Sequence, residues 1–244
     1  MKIQRICLEE TDSTNRYIKE IDMPEVDFLV VTAQWQTAGR GQGQNTWESE
    51  RGKNLLFSLL VHPTFLAIER QFLLSMTGAL ALKDTLERYV GEVNIKWPND
   101  IYWHDKKISG TLIETRVAGQ KLKEAVLGIG INVNQEVFRS DAPNPVSIHN
   151  IVGHEVLTDE ILNLFLQKLE HYYGQLQRGE EANILRAYHQ ALYRREGFHL
   201  YQDQRGLFEA KIIEVMPNGL LVLQNKEGEM RSYALKEVAY VLKK

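Results

Sequence analysis

One cysteine stands in 244 residues. Cys7 lies in an apolar, strand-like run, so no internal disulfide can form and the chain suits a reducing compartment. Long apolar runs are missing too. The most apolar helical stretch, Phe72 to Leu82, contains Ser75, Thr77 and Gly78 and falls far short of the roughly 20 residues a membrane span needs. Met1-Lys2-Ile3-Gln4-Arg5 opens the chain without an apolar signal region. Positive charge is not in excess either: the net charge is −3, which argues against bulk electrostatic binding of nucleic acid. Together these absences predict a soluble, cytoplasmic protein that uses neither a membrane nor DNA.

Several catalytic signatures are incomplete. To make a dinucleotide fingerprint, Gly39-x-Gly41 would need a glycine at Gln44, and Gly128-x-Gly130 one at Val133. No glycine run followed by Lys-Ser/Thr forms a P-loop, and no Gly-x-Ser-x-Gly forms a nucleophile elbow. The seven histidines form no cluster with zinc-binding spacing. Hydride transfer, structural zinc and hydrolase-type catalysis therefore lose most of their support.

What is present is enough apolar sequence, 43%, for one substantial core with a small satellite, and one dense polar loop. Gly39-Arg40-Gly41-Gln42-Gly43-Gln44-Asn45-Thr46-Trp47 separates the apolar runs Phe28–Val31 and Asn54–Val61. Its glycines free the backbone to converge N–H groups on an anion. Arg40 offers a planar fork for phosphate or carboxylate, and Trp47 a face for stacking. The pattern is that of a ligand clamp; its rival is a glycine-rich hairpin with a core Trp.

Downstream, Phe72, Leu73, Met76, Leu80 and Leu86 recur at helical spacing and predict a helix from about Leu66 to Tyr89. A short helix around Tyr17-Ile18 is stopped by Pro24. Strands are predicted over 93–97, 101–103, 106–117 and 122–133, making an antiparallel sheet backed by the long helix. Helices over 159–176 and 181–193 follow. From Gly197, short β runs broken at Pro217-Asn218-Gly219 and Glu227-Gly228-Glu229 predict a small barrel. The expected fold is α/β of the α+β type: a mixed, largely antiparallel sheet backed by helices over 1–195, and a C-terminal β-barrel over 196–244.

Five stretches carry a family resemblance. Thr11-Asp12-Ser13-Thr14-Asn15, Gln36-Thr37-Ala38-Gly39-Arg40-Gly41, Lys96-Trp97-Pro98-Asn99-Asp100, Lys107-Ile108-Ser109-Gly110 and Gly128-Ile129-Gly130-Ile131-Asn132 resemble, in order and separation, signature stretches of the biotin–protein ligases. The resemblance implies an SH3-like C-terminal barrel and a two-step reaction. Biotin and ATP, with Mg²⁺ shared among the phosphates, give biotinyl-5′-AMP. Biotin then passes to a lysine of a biotin carboxyl carrier domain of a carboxylase.

By resemblance, Lys107, Arg40 and Asp100 are catalytic. Biotin is assigned to Ser13, Thr14, Asn15, Gln36, Gly39, Arg40, Gly41, Gln42, Lys107, Gly110 and Gly128; ATP and the adenylate to Arg40, Trp47, Asn99, Lys107, Gly130 and Asn132. No residue is assigned as a dedicated metal ligand. Asp100 either orients the acceptor amine or holds Mg²⁺, and both readings stay open. Taken alone, Ser13 or Thr14 reads equally as a helix cap, Asp100 as a turn residue and Lys107 as an edge-strand lysine.

Two departures qualify the match. Many bacterial members carry further arginines where this chain has Gln42, Gln44 and Asn45, so Arg40 is the loop's single cation. Only a dozen residues precede Ser13, too few for the winged helix-turn-helix of some members, which predicts a ligase without repressor function. Exposed sheet edges are compatible with a homodimer. The rival readings are a lipoate or octanoyl ligase/transferase of the same superfamily, a non-catalytic biotin-sensing or carrier-binding module, and a nucleic-acid adaptor acting through the SH3-like tail, which the lack of an aromatic-basic stripe there disfavours.

Overall fold

A computed structural model describes residues 1–22, 25–43, 45–140 and 142–242; Pro24 and Gln44 lie outside them. Seven strands, β1 (Ile3–Leu8), β2 (Phe28–Ala33), β3 (Leu55–Val61), β4 (Asn94–Lys96), β5 (Asp100–Trp103), β6 (Lys106–Ala118) and β7 (Lys121–Ile131), form one sheet. Its order is β1-β2-β3-β7-β6-β5-β4. Only β1 and β2 run parallel; the other pairs are antiparallel. The mixed, largely antiparallel sheet expected from the sequence is borne out.

Period-two alternation gives the sheet two unlike faces. Phe28 and Val30 of β2, Phe57 and Leu59 of β3, and Leu127 and Ile129 of β7 enter the main core. That core is completed by α2 (Phe72–Val90), α4 (Thr158–Gln177) and α5 (Glu181–Gln190), with α2 lying mainly against α4. The intervening residues Leu29, Val31, Leu60 and Val126 meet Ile18 of α1 (Thr14–Lys19) on the opposite face. By the same alternation Ser58, Gly128 and Gly130 lie on the α1 side, where the polar residues gather.

Some boundaries differ from expectation. The long helix starts at Phe72 rather than Leu66, because backbone bonds from Ile68 N to Gln120 O (3.0 Å) and from Leu122 N to Leu66 O (3.1 Å) hold the preceding residues against β7. The last helix ends at Gln190, since Ala191 and Tyr193 pair with Ile95 of β4 instead. An unexpected short helix, α3 (Ile148–Val152), is started by a capping box between Ser147 and Asn150.

The C-terminal strands β8 (His199–Asp203), β9 (Gly206–Val215), β10 (Leu221–Asn225), β11 (Met230–Tyr233) and β12 (Ala239–Tyr240) form a sheet ordered β11-β10-β9-β8-β12. Its two outer strands, four and two residues long, do not pair with each other, so the expected barrel is not closed. The sheet is tied to the body by Trp97 Nε1 donating to Gly219 O (3.1 Å), Val215 N to His189 Nε2 (2.9 Å) and Arg194 Nη2 to Val241 O (2.9 Å). Among the described residues, no helix is long and apolar enough to cross a membrane.

Candidate active site

A cavity of about 660 Å³ opens on the α1 side of the sheet, a size typical of small-ligand sites. Its floor is made by side chains that are absent. Gly110 of β6 pairs with Gly130 of β7, and Leu112 with Gly128, so alternation removes three side chains from one patch of sheet. Trp47 and Asn15 fill part of that patch. A β-carbon at Gly130 would come 2.7 Å from Trp47 Cζ2, one at Gly110 3.2 Å from Trp47 Cζ3, and one at Gly128 2.6 Å from Asn15 Cγ. The indole Nε1 of Trp47 is buried without a hydrogen-bond partner.

The glycine loop forms the roof. Trp47 N donates to Gly39 O (3.0 Å) and Gly41 N to Asn45 O (2.7 Å), closing a narrow hairpin whose tip, Gly43, has φ +68°. Gly39, expected to touch biotin, lies behind the wall: it is buried and does not line the cavity, and a β-carbon there would meet Trp47 O at 2.7 Å. Its hydrogen is needed for the hairpin, not for a ligand.

Every other residue singled out by resemblance lines the cavity. At one end Ser13, Thr14, Asn15 and Gln36 make a polar wall. Ser13 holds the position that precedes α1, yet its side chain makes no capping bond, so the cap reading does not explain it. Thr14 N donates to Gln36 Oε1 (2.7 Å). At the other end Lys107 Nζ meets Asp100 Oδ1 at 2.8 Å and stands 5.8 Å from the centre of the Trp47 ring. Asn99 Nδ2 donates to Thr111 O (3.0 Å). Asn132, at the end of β7, spends its Nδ2 on Val146 O (3.2 Å), so it ties the following segment to the sheet.

Arg40 and Lys107 thus share one cavity, and each already faces a carboxylate. Arg40 Nη1 lies 3.8 Å from Glu114 Oε1, which also pairs with Lys19 Nζ at 2.8 Å. Burial opposes ionisation of Glu114. Hydrogen bonds from Lys19 and Asn15, with the charges of Lys19 and Arg40, outweigh it and hold the carboxyl below its ordinary 4.5. A depressed folded-state pKa adds stability that is present above the unfolded value and lost as pH falls through the folded one. Lowering the pH below 4.5 should therefore destabilise the parent more steeply than Glu114→Gln, read as the difference between their denaturation midpoints; equal slopes would contradict the pairing.

Three features of the site went unforeseen. Ser58 is fully buried in an otherwise apolar strand, Leu-Leu-Phe-Ser-Leu-Leu-Val, and that lone hydroxyl was the available signal. Glu114, about a quarter exposed, shares its face of β6 with Gly110, Leu112 and Arg116, a pattern that carries no comparable signal. One wall comes from Phe138, Ser140 and 142–145, held by Glu48, whose carboxylate accepts from Arg139 N and Ser140 N, both at 2.8 Å. No local pattern announces that clasp.

Comparison with known proteins agrees with this geometry. Residues 7–132 match the model of the biotin/lipoate A/B protein ligase family. The biotin–[acetyl-CoA-carboxylase] ligase of Paracoccus denitrificans is 31% identical over 69% of this chain and 72% of that protein. The bifunctional ligase/repressor BirA of Bacillus subtilis is 26% identical over 93% of this chain and 70% of that protein. The structure of the biotin protein ligase of Aquifex aeolicus with biotin and ATP superposes with a TM-score of 0.80 at 25% identity, covering 96% of this chain and 97% of that one. The chain belongs to the biotin/lipoate A/B protein ligase family. These relatives are biotin–protein ligases, which bears out the resemblance carried by the five motifs.

Proposed function

We propose that this biotin–protein ligase activates biotin with ATP in the cavity on the α1 side of the sheet and passes it to a lysine of a biotin carboxyl carrier domain. The observation that carries the reading is one cavity lined both by a polar, hydrogen-bonding wall and by two cations, Arg40 on the Glu114 side and Lys107 beside Asp100. A biotin carboxylate and an ATP α-phosphate repel each other, and reaction needs them in contact. Arg40 and Lys107 supply the opposing charge at that point. Both cations are a third to nearly half exposed and their partners about a quarter, and such solvent-reached pairs are worth only about 0–1 kcal/mol. Exchanging Glu114 and Asp100 for substrate anions therefore costs little.

A carboxylate oxygen of biotin attacks the α-phosphorus, the bond to the β-phosphate bridge breaks, and pyrophosphate leaves. Trp47 stacks on the adenine, and the glycine loop keeps water from the mixed anhydride. The carrier lysine amine then attacks the carbonyl carbon, an amide forms and AMP leaves. Residues 1–195 would do the chemistry, with 196–244 a unit that helps hold ATP and carrier.

The donor set fits Mg²⁺ bound mainly by phosphates. Among the described residues no three His, Cys, Asp or Glu side chains cluster, and Glu48 is engaged by backbone N–H groups. Asp100 is the carboxylate that would join the phosphate oxygens, as Mg²⁺ sites with one protein carboxylate do. When bound, the ion neutralises phosphate charge. Biotin-dependent exchange of pyrophosphate into ATP tests the reading. Exchange with biotin and none with lipoate is expected; exchange with lipoate alone, or with neither acid, would overturn it.

A further inference from the structure

Glu114 does not line the cavity, yet hydrogen bonds lead from it to the polar wall. Glu114 Oε2 accepts from Asn15 Nδ2 at 2.8 Å. Asn15 Oδ1 is 2.5 Å from Ser58 Oγ, Ser58 Oγ is 2.7 Å from Thr14 Oγ1, and Thr14 Oγ1 is 3.1 Å from Gln36 Oε1. Ser58, Thr14 and Asn15 are all buried.

Proton directions along this chain are constrained. An ionised carboxylate only accepts, so Asn15 must turn Nδ2 toward Glu114 and Oδ1 toward Ser58. Ser58 has one hydroxyl proton, and its 2.5 Å contact with an amide oxygen requires that proton. Ser58 Oγ must then accept from Thr14, whose own single proton goes into the 2.7 Å contact. Gln36 is fixed separately, because its Oε1 accepts from the Thr14 backbone N–H. Two hydroxyl protons serve three contacts, so when the two shorter ones are made the longest, Thr14 Oγ1 to Gln36 Oε1 at 3.1 Å, is left without one, and these oxygens become neighbouring acceptors at the cavity wall. Such a pair calls for donors from the ligand.

We propose that Glu114 is a positioning residue that, through Asn15, Ser58 and Thr14, sets the wall as an acceptor pair. That wall takes a head group with two adjacent N–H donors, as the ureido ring of biotin has, and refuses one with none. The proposal rests on the biotin reading of the same site. Without Glu114, the Asn15 amide is free to rotate, Ser58 turns its proton to Thr14, and Thr14 points a proton at the ligand's own N–H.

The test is calorimetric binding of biotin, and of biotin methylated at one ureido nitrogen, to the full chain and its variants. The parent should bind biotin and lose most affinity for the methylated form. Glu114→Ala should weaken biotin about 10- to 100-fold, the cost of unpaired buried donors, and should no longer distinguish the two ligands, while ATP affinity stays within a few-fold. Glu114→Gln, which still offers Asn15 an acceptor, should recover most of the biotin affinity. Ser58→Ala should lose discrimination as Glu114→Ala does, with every charge intact. Equal losses in Glu114→Ala and Glu114→Gln would assign the effect to charge and overturn the proposal, as would unchanged discrimination in Ser58→Ala. A parent that does not bind biotin would instead overturn the reading beneath it.

Discussion

Lys107→Ala should lose formation of biotinyl-5′-AMP by about 10³-fold, the upper end of what one preorganised electrostatic contact supplies, while the fold is kept. The two halves of that expectation come from different parts of the residue. Lys107 is anchored by its backbone, which accepts from Val146 N (3.0 Å) and donates to Asn144 O (2.8 Å), and alanine preserves both bonds. Its ammonium is about a third exposed and paired with Asp100 at the surface of the cavity, a pair worth at most about 1 kcal/mol of stability. Single-turnover adenylate formation and thermal denaturation should therefore separate: the first collapses and the second barely moves. A variant that made adenylate at the parent's rate would remove Lys107 from the chemistry. A variant that unfolded would make it a structural residue.

Gly128→Ala should act in the opposite manner, through packing first. The added methyl carbon would stand 2.6 Å from Asn15 Cγ, and Asn15 cannot step aside because Ser58 and Glu114 hold both ends of its amide. Overpacking of this kind costs about 1–3 kcal/mol. Asn15→Ala alone should also destabilise, since it removes the buried amide that bonds both Ser58 and Glu114. Combined, the two changes should be less harmful than their sum by about 1 kcal/mol or more, because residues in contact are not additive, yet biotin binding should stay poor. Simple additivity in a denaturant double-mutant cycle would show that Gly128 does not exist to make room for Asn15.

How much of this was legible in the sequence follows from how local each signal is. Gly128-Ile129-Gly130-Ile131-Asn132 shows its two-faced character by alternation alone, and the structure puts Ile129 and Ile131 in the core and both glycines on the cavity floor. The loop from Arg40 to Trp47 was readable because nothing in a core explains its composition. Gly39 misled, because a glycine required by a hairpin looks the same as one required by a ligand. Ser58 and Glu114 were missed because their meaning lies in partners 43 and 99 residues away at Asn15, which no spacing rule connects. Barrel closure likewise depends on whether two short outer strands meet, and their sequences do not encode that.

The central claim is that Arg40 and Lys107 leave their resting carboxylates and converge on the reacting anions. A structure of the chain with a non-hydrolysable analogue of biotinyl-5′-AMP tests it directly. The account predicts Arg40 turned away from Glu114 and Lys107 away from Asp100, both donating to the oxygens of the acyl-phosphate linkage. If the analogue fills the cavity while either cation keeps its carboxylate and stands clear of that linkage, the account is wrong.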